Sequence, residues 1–263
     1  MSEEIQGYKD KKGQEFTVDK PSKSKYKYYE EHIKGGLLTQ PQIFDSDNVA
    51  KETENKVMIF EKAIMRSKCI MDCMLLDSNG TVIGLEIKTE RDSTQRLKKQ
   101  LYMYSLVCKY VYVVCHDDFI DKVEKILKRH KFGYVGIISY INFKDKPTFG
   151  KYKDAEISPN RSPYHTLDIL WKAEIIELFN NVRSVKAKSK NSAYVKSTSQ
   201  TKERKASINH NLTKPQVITN MINVLGKQST YTLFSRAMIY GVKNSEKIVD
   251  KYQFISLEGD KDV

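Results

Sequence analysis

The residues of this chain best suited to chemistry are two carboxylates and a lysine near its centre. Asp72 lies in one short apolar run, and Glu86 and Lys88 end the next run, after the polar turn at residues 77–80. Two ionised carboxylates that lie side by side repel each other, so such a pair usually needs a cation. If the fold brings Asp72 and Glu86 together, they indicate a site for a divalent metal ion.

The two apolar runs are typical of the strands of a β-hairpin, and they span residues 70–76 and 82–87. A two-residue loop between them would put Asp72 opposite Ile87 and turn it away from Glu86. A three-residue loop that ends at Gly80 would put Asp72 opposite Glu86 on the same face of the sheet. Such loops typically end in a left-handed residue, which glycine adopts readily, so the turn favours the second register.

A helix is predicted directly after the hairpin. Asp92 or Ser93 can cap its first turn, and apolar side chains follow at helical spacing at Leu97, Leu101 and Tyr104. Arg96 and Gln100 lie in one row with Tyr104, beside this stripe. We therefore expect the row to lie over the sheet face that carries the carboxylates. Arg96 and Gln100 as exposed helix residues without a role remain an alternative.

These elements resemble the PD-(D/E)XK nuclease superfamily, in particular a small bacterial and phage branch of it. That branch has an upstream Glu, an Asp in a strand, Glu-Ile-Lys at the end of the next strand and a Gln on the following helix. The matching residues here are Glu61, Asp72, Glu86, Ile87, Lys88 and Gln100. The similarity covers residues 57–179, since residues 170–174 also resemble the closing helix of the branch. Met71 replaces the Pro that names the superfamily, a departure common among its members.

The resemblance implies a metal-dependent nuclease, most simply an endonuclease that hydrolyses phosphodiester bonds in nucleic acid. The implied ligands of a Mg²⁺ or Mn²⁺ ion are Glu61, Asp72, Glu86 and the carbonyl of Ile87, an oxygen set that such hard ions prefer. Lys88 would orient the attacking water and stabilise charge on the phosphoryl oxygens. Gln100 would orient the water or contact the scissile strand, so that the implied catalytic residues are Asp72, Glu86, Lys88 and Gln100.

Three alternatives stay open. Glu-x-Lys alone occurs three times in the chain, so Asp72 could be a surface residue at a strand edge, and Glu86 and Lys88 a solvated pair. A catalytically silent protein of this fold could bind nucleic acid or a host protein. A site that has lost its activity, however, has no reason to keep Asp72, Glu86 and Lys88 together. An RNA-directed nuclease would use the same residues as one that acts on DNA.

The composition favours an anionic partner. The chain has 263 residues, a net charge of +12 and a sequence pI of about 9.3, which indicates nucleic acid before membrane, with DNA favoured. A polar start and the lack of any run of 18 apolar residues predict a cytoplasmic protein without a signal peptide or membrane span. The four cysteines, without paired CxxC spacing, are expected to be buried thiols rather than a zinc site. A homodimer is left open.

Nucleic-acid contacts are expected from basic residues on both sides of the hairpin region. Residues 23–29 interleave lysines with tyrosines, which suits phosphate contact and base stacking, or else packing of the tyrosines onto the domain. Residues 183–205 hold eight Lys or Arg against one acid, a pattern typical of a basic linker. The residues predicted to contact nucleic acid are Arg91, Arg96, Lys186, Lys188 and Lys190.

The sequence predicts an α/β fold with a mixed central sheet flanked by helices, and the resemblance implies that this is a restriction-endonuclease-like core. Buried strands are expected at residues 110–115 and 133–140, helices at 117–129 and 166–180, and a loop at 142–163. Helices at 213–225 and 229–240 predict a small helical C-terminal unit. The predicted division is an N-terminal segment (1–55), a nuclease-like core (56–182), a basic linker (183–212) and the C-terminal unit (213–263).

Overall fold

The structure is a computed structural model that describes residues 28–40, 43–44, 56–89, 92–143, 146–193 and 211–243, with only the backbone for residues 183–193. These residues form a six-stranded mixed sheet with helices packed on both faces, so the predicted α/β class is confirmed. The helices are α1 (Glu30–Thr39), α2 (Leu97–Val107), α3 (Ile120–Arg129), α4 (Pro163–Leu167), α5 (Lys172–Ala193), α6 (Lys214–Leu225) and α7 (Lys227–Tyr240).

The strands lie in the sheet in the order in which they occur in the chain. They are β1 (Lys56–Ile64), β2 (Cys69–Asp77), β3 (Val82–Lys88), β4 (Tyr110–His116), β5 (Gly136–Phe143) and β6 (Lys146–Lys153). β3, β4 and β5 are parallel, and the other neighbours are antiparallel. Parallel neighbours need a long crossover, which α2 and α3 supply. The predicted order of hairpin, helix, strand, helix and strand is therefore confirmed.

The turn between β2 and β3 has the geometry that its glycine predicts. The two strands pair from Leu76 with Val82 to Cys73 with Leu85, so the loop comprises three residues, 78–80. Gly80 has a φ of 94°, in the left-handed region. Continued by one residue, this register puts Asp72 opposite Glu86, as the three-residue loop predicts.

Hydrophobic clusters fill both faces of the sheet. On one face, buried side chains of α2, α3 and α4 to α7 pack against the strands. On the other face, Ile33 and Leu37 of α1 pack with Phe44 and with strand residues that include Tyr112 and Tyr140. Because β4 is covered on both sides, residues 110–115 are all buried, which accounts for their unbroken apolar sequence.

α6 and α7 share a core with the sheet. A capping box begins α6, in which the backbone N–H of Thr213 donates to Oε1 of Gln216 at 2.8 Å. Gly226, with a φ of 77°, separates the two helices. Their buried side chains, Val217, Ile218, Met221, Leu233 and Phe234, belong to the same cluster as the α2 face of the sheet. The predicted C-terminal unit therefore packs directly against the sheet.

Two elements depart from the sequence prediction. The loop predicted over residues 142–163 contains β6, an edge strand, where a proline such as Pro147 is tolerated. Gly35 and Gly36 suggest a break in the chain, yet α1 runs through both. A Cβ at Gly36 would lie 2.8 Å from side-chain atoms of Pro147 and Phe149, so α1 packs this closely against β6 only because Gly36 has no side chain.

The region around α5 also differs. The sequence predicts one helix over residues 166–180, but the structure has two, α4 and α5, with Trp171 between them. Trp171, the single tryptophan of the chain, is 78% exposed and does not pack into the core. α5 continues to Ala193, inside the predicted linker, because lysine and alanine favour helix even in a basic, polar segment. Residues 194–210 lie outside the described residues.

Candidate active site

The candidate site lies where β2 and β3 stop pairing. Their ladder ends at Cys73 and Leu85, while β2 goes on pairing with β1 and β3 with β4. At this point the carboxylate of Asp72 takes the place of a strand partner, and its Oδ2 accepts a hydrogen bond from the backbone N–H of Ile87 at 2.8 Å. The side chain of Asp72 is thereby held between the two strands, beside the Glu86 position.

Glu86 is fully buried, and its two carboxylate oxygens differ. Oε1 lies 2.5 Å from Nζ of Lys88, which is itself buried. Oε2 has no hydrogen-bond partner among the described residues. A buried carboxylate oxygen without a donor is costly, so this atom requires a cation or a proton. Carboxylate oxygens such as this one are the ligand type that hard divalent ions take.

Tyr104 of α2 fixes the backbone of Asp72. Its hydroxyl accepts a hydrogen bond from the N–H of Asp72 at 3.0 Å and donates one to the carbonyl of Ile70 at 3.3 Å. The hydroxyl also lies beside the carboxylate of Glu86, whose pKa it lowers, so Tyr104 links the two carboxyl groups of the site. One turn earlier on α2, Oε1 of Gln100 is buried and lacks a hydrogen-bond partner in the described part of the chain.

The two carboxyl groups resist ionisation in the absence of a cation. Burial, followed by the charges of Glu86 and Glu30, raises the pKa of Asp72 to about 8, although the N–H of Ile87 and the charge of Lys88 act in the opposite direction. Burial also raises the pKa of Glu86, and Lys88 only partly offsets it. A divalent cation near both groups would favour their ionised forms.

α1 adds two residues that the sequence pattern does not reveal. Nζ of Lys34, which is 1% exposed, lies 2.7 Å from Oε1 of Glu30 and 3.5 Å from Oε1 of Glu61. Glu30 faces the site, since its charge raises the pKa of both Asp72 and Glu86. The i, i+4 spacing of Glu30 and Lys34 is the signal that could have identified them, but the following glycines argue against a helix there.

Glu61 lies on β1, on the far side of Asp72 from Glu86. The β1–β2 pairs on either side of it, Phe60 with Cys73 and Lys62 with Met71, put it opposite Asp72. Its φ of 52° is left-handed, a conformation that costs a non-glycine residue about 1–3 kcal/mol and often occurs at functional sites. Glu61, Asp72 and Glu86 therefore form a row across three neighbouring strands. Metal ligation by Glu61 stays a prediction.

The carboxylates do not form a ready metal centre. Within the described ranges, no three Asp, Glu, His or Cys side chains are grouped so that they could hold a metal ion. Their oxygens face other partners instead: Oε1 of Glu86 faces Lys88, Oδ2 of Asp72 accepts from Ile87, and Glu30 and Glu61 face Lys34. Ligation by the set predicted from the sequence would require these side chains to turn towards Oε2 of Glu86.

The structure describes only part of the predicted nucleic-acid contacts. Arg96 is exposed beside the start of α2, and its charge and that of Lys99 act on the thiol of Cys69, which Asp72 and Glu86 also influence. Arg91 lies outside the described residues, as do residues 23–27. The other predicted contacts, Lys186, Lys188 and Lys190, belong to α5. The structure describes only the helical backbone of this part of α5.

The tyrosines and cysteines next to these regions have mainly structural positions. Tyr28 is buried, and its hydroxyl donates to Oδ1 of Asn142 at 2.7 Å, whereas Tyr29 is exposed. All four cysteines are buried free thiols, as predicted. Burial, with the charges of Glu86 and Asp72, raises the pKa of Cys69 to about 11. No helix in the described part of the chain combines the length and apolar character needed to cross a membrane.

Comparison with known proteins identifies a family. A model of bacteriophage P4 protein cII matches residues 23–248, which include every helix and strand from α1 to α7. The chain belongs to the bacteriophage P4 cII protein family. This match supports the prediction that the protein is phage-related. The PD-(D/E)XK resemblance is not tested by it and stays a prediction for this P4 cII family member.

Other comparisons add little to the P4 cII assignment. No curated protein matches the chain. A solved structure, the SPO1766 protein of unknown function from Silicibacter pomeroyi, is 13% identical and covers 53% of this chain and 83% of its own, with a TM-score of 0.31. A similarity this weak supports no inference about the fold or function of this chain.

Proposed function

We propose that this P4 cII family member is a metal-dependent nuclease that hydrolyses phosphodiester bonds. The observation that carries the proposal is the buried Oε2 of Glu86, which has no hydrogen-bond partner among the described residues and lies beside Asp72 and Lys88 where β2 and β3 stop pairing. Two carboxylates and an ammonium group in this setting match the acidic and basic groups of the motif that the sequence resembles.

The proposed ligands of a Mg²⁺ or Mn²⁺ ion are Asp72, Glu86 and the carbonyl of Ile87, with Glu61 or Glu30 as a further oxygen donor. When bound, such an ion lowers the pKa of a coordinated water and neutralises charge on a phosphate. The residues of the chain hold the ion in place. The N–H of Ile87 and the hydroxyl of Tyr104 fix Asp72, and the buried position of Glu86 restricts its rotation.

Lys88 and Gln100 are proposed to act on the substrate. Lys88 brings a buried ammonium group next to Glu86, where it can stabilise charge that develops on the phosphoryl oxygens. Gln100 has a buried amide oxygen without a partner in the described residues, so it can accept a hydrogen bond from a water that attacks the phosphorus. Tyr104 is a positioning residue, since it acts through the backbone of Asp72.

The proposed substrate is nucleic acid in the cytoplasm, with DNA favoured over RNA and endonucleolytic cleavage favoured over exonucleolytic. Its support is the net charge of +12 together with the exposed basic groups of Arg96 and Lys99 near the site. These cations would contact phosphates beside the scissile bond. Action as a homodimer is compatible with the proposal but is not required by it.

A second candidate is a binding protein without catalytic activity, directed at nucleic acid or a host protein. It is favoured by two observations: Lys88 already pairs with Glu86, and no ready group of three ligands exists among the described residues. Such a protein would bind nucleic acid equally well with and without divalent ions, and it would leave the strands intact.

A cleavage assay separates the two candidates. The full chain should be incubated with single-stranded, double-stranded and branched DNA and with RNA, in Mg²⁺, in Mn²⁺ and in EDTA. The nuclease proposal predicts cleavage of at least one substrate that EDTA and Asp72→Asn abolish, whereas Asp154→Asn, a change at an exposed position, leaves it intact. Binding without cleavage in every condition would favour the silent binding protein.

A further inference from the structure

The sheet exposes large apolar side chains at its β6 side. Along β5, the buried residue Ile137 belongs to the core cluster on the face that α3 covers. Side chains alternate along a strand, so Ile141 and Phe143 point to the same side as Ile137. Ile141 is 44% exposed and Phe143 is 55% exposed. This face of the sheet is therefore buried at the start of β5 and exposed towards the end of β5.

The edge strand β6 continues the exposed surface. Thr148 pairs with Ile141, and Lys146 pairs with Phe143. Residues that are paired directly in neighbouring strands lie on the same face of a sheet. Lys146 is exposed and therefore stands beside Phe143, at the end of the surface where β5 stops.

The opposite end of this surface is acidic. Tyr152 is 51% exposed, and its hydroxyl donates a hydrogen bond to the carboxylate of Glu124 on α3, while Asp121 of the same helix also acts on it. From Lys146 to Tyr152 the strand extends roughly 20 Å, at about 3.3 Å per residue. The β5–β6 strip, as we call this surface, thus has exposed apolar side chains, a lysine at one end and two carboxylates at the other. It comprises Ile141, Phe143, Lys146, Thr148 and Tyr152, with Asp121 and Glu124 at its acidic end.

The charges of the strip argue against two possible modes of interaction. Contiguous exposed apolar side chains with a polar rim are typical of interaction sites. Bases of nucleic acid could stack on the aromatic rings, but Asp121 and Glu124 would repel the phosphates. Pairing of β6 with the β6 strand of a second copy is also disfavoured, because Pro147 and the lysines of this strand are features that protect sheet edges. The exposed face remains as the contact surface.

The strip is complementary to itself. A two-fold axis between two facing strips, at right angles to the strands, places the lysine end of each copy over the acidic end of the other. Lys146 then faces the partner's Glu124 and the partner's Asp121, and Phe143 approaches the partner's Tyr152. α3 lies on this face at the acidic end, so it would cover the exposed strand ends of the second copy. With the ends not exchanged, Lys146 would face the partner's Lys146, and the two cations would repel each other.

We propose that the β5–β6 strip is the surface through which two copies of this chain form a symmetric dimer, with the lysine end of each against the acidic end of the other. The strip lies on β5 and β6, whereas the candidate active site lies on β2 and β3. The inference therefore does not depend on the proposed nuclease activity. A two-strand surface is near the lower limit for a specific interface, so the dimer should dissociate on dilution.

The test is sedimentation equilibrium of the full chain at concentrations up to about 200 µM, because an interface of small area can be weak. The wild type should approach the mass of a dimer. Phe143→Asp should stay monomeric throughout, since it places a charge among the apolar side chains. Tyr102→Asp is the matched control, at an aromatic residue of α2 that is 52% exposed, and it should dimerise as the wild type does.

An exchange of charges tests how the two copies are arranged. Lys146→Glu and Glu124→Lys each place like charges opposite each other, so each should weaken dimerisation by about tenfold or more. The double variant restores opposite charges across the interface and should return the dissociation constant to within about threefold of the wild-type value. Lys98→Glu, at an exposed position on α2, is the control and should leave it unchanged.

Each remaining outcome would overturn the proposal. A wild type that is monomeric at every concentration would do so, as would a dimer that a folded Phe143→Asp chain still forms with wild-type affinity. Circular dichroism reports whether Phe143→Asp folds, and if it does not, the exposed charge variants decide. A double variant as weak as the single ones would contradict the exchanged ends. A monomeric wild type whose binding of single-stranded DNA is lost in Phe143→Asp would assign the strip to nucleic acid instead.

Discussion

The carboxylate of Asp72 accepts a hydrogen bond from the backbone N–H of Ile87 at 2.8 Å, at the residue where β2 and β3 separate. In a continuous hairpin, a backbone carbonyl of β2 would take this N–H. The side chain of Asp72 therefore takes the place of a backbone partner where the β2–β3 ladder ends, next to the position of Glu86. The proposed site therefore depends on a local break in the hairpin as well as on the identity of its residues.

The first prediction concerns the pH dependence of stability without divalent ions. Folded Asp72 keeps its proton up to about pH 8, whereas an unfolded aspartate loses it near pH 3.8. This carboxyl therefore contributes its full stability below pH 3.8, and the contribution is lost as the pH rises to about 8. We expect Asp72→Asn to raise the melting temperature at pH 8.5 more than at pH 5.5, measured by circular dichroism in EDTA.

Asp154→Asn, at an exposed position on the loop after β6, is the control and should change neither value. Addition of Mg²⁺ should stabilise the wild type at pH 8.5 and have little effect on Asp72→Asn. An equal effect of Asp72→Asn at both pH values would contradict the raised pKa of Asp72.

The second prediction concerns the turn that sets the register. Gly80 has a left-handed φ of 94°, and a Cβ there would lie 2.7 Å from the backbone nitrogen of Thr232 on α7. We expect Gly80→Ala to reduce the free energy of unfolding by roughly 2–4 kcal/mol, measured by urea denaturation. Gly133→Ala is the matched control, because a Cβ at Gly133 meets no atom within 4 Å and its φ is not left-handed. Equal stability of the two variants would contradict this account of the turn.

Gly80 and Gly36 show how far the sequence predicts this fold. Gly80 ends a polar turn between two apolar runs, so the local pattern predicts the hairpin and its register, although Gly80 also packs closely against α7. Gly36 has a tertiary reason, the close approach of β6, and a local pattern cannot show this. The sequence therefore predicts the sheet around the site but hides α1.

The site shows the same division. Asp72, Glu86 and Lys88 come from adjacent strands, and their approach follows from the hairpin register. Glu30 and Lys34 come close to these residues because α1 packs on the face of the sheet opposite to α2. They are separated from Asp72 by about 40 residues in the sequence. The sequence pattern does not reveal β6, because an edge strand can be polar and include proline. Tertiary contacts of this kind leave no periodic signal in a single sequence.

The third prediction concerns Lys88. Its ammonium group is buried beside Oε1 of Glu86, and the planar guanidinium of arginine is not an equivalent replacement for such a compact cation. We expect Lys88→Arg and Lys88→Ala each to lower kcat for Mg²⁺-dependent cleavage by about a hundredfold or more, equivalent to about 3 kcal/mol of transition-state stabilisation. Lys98→Arg, at an exposed position on α2, should keep the wild-type rate. Full activity of Lys88→Arg would remove Lys88 from the mechanism.

The fourth prediction concerns the basic residues of α5. Lys186, Lys188 and Lys190 lie away from the catalytic motif in sequence, so they should contribute affinity rather than chemistry. If each contacts a phosphate, replacement of all three by glutamine should reduce the slope of log affinity against log salt concentration by about 2 to 3. The rate at saturating substrate should stay nearly unchanged.

The control for α5 replaces three exposed lysines of α3 by glutamine, at Lys122, Lys125 and Lys128, which removes the same charge elsewhere. Fluorescence anisotropy with labelled DNA at several salt concentrations gives both slopes. An unchanged slope in the α5 variant would show that these lysines are simply solvated. A collapse of the saturated rate would mean that part of the active site lies on α5.

The most direct test of the central claim is the rate of Mg²⁺-dependent cleavage by Glu86→Gln at saturating DNA. The amide keeps the size of the side chain and its hydrogen bond with Lys88, but it removes the charge that the proposed ion requires. We expect a rate about a hundredfold or more below that of the wild type, with DNA affinity unchanged and with Glu156→Gln, at an exposed position, as active as the wild type. Wild-type cleavage by Glu86→Gln would contradict the assignment of this site.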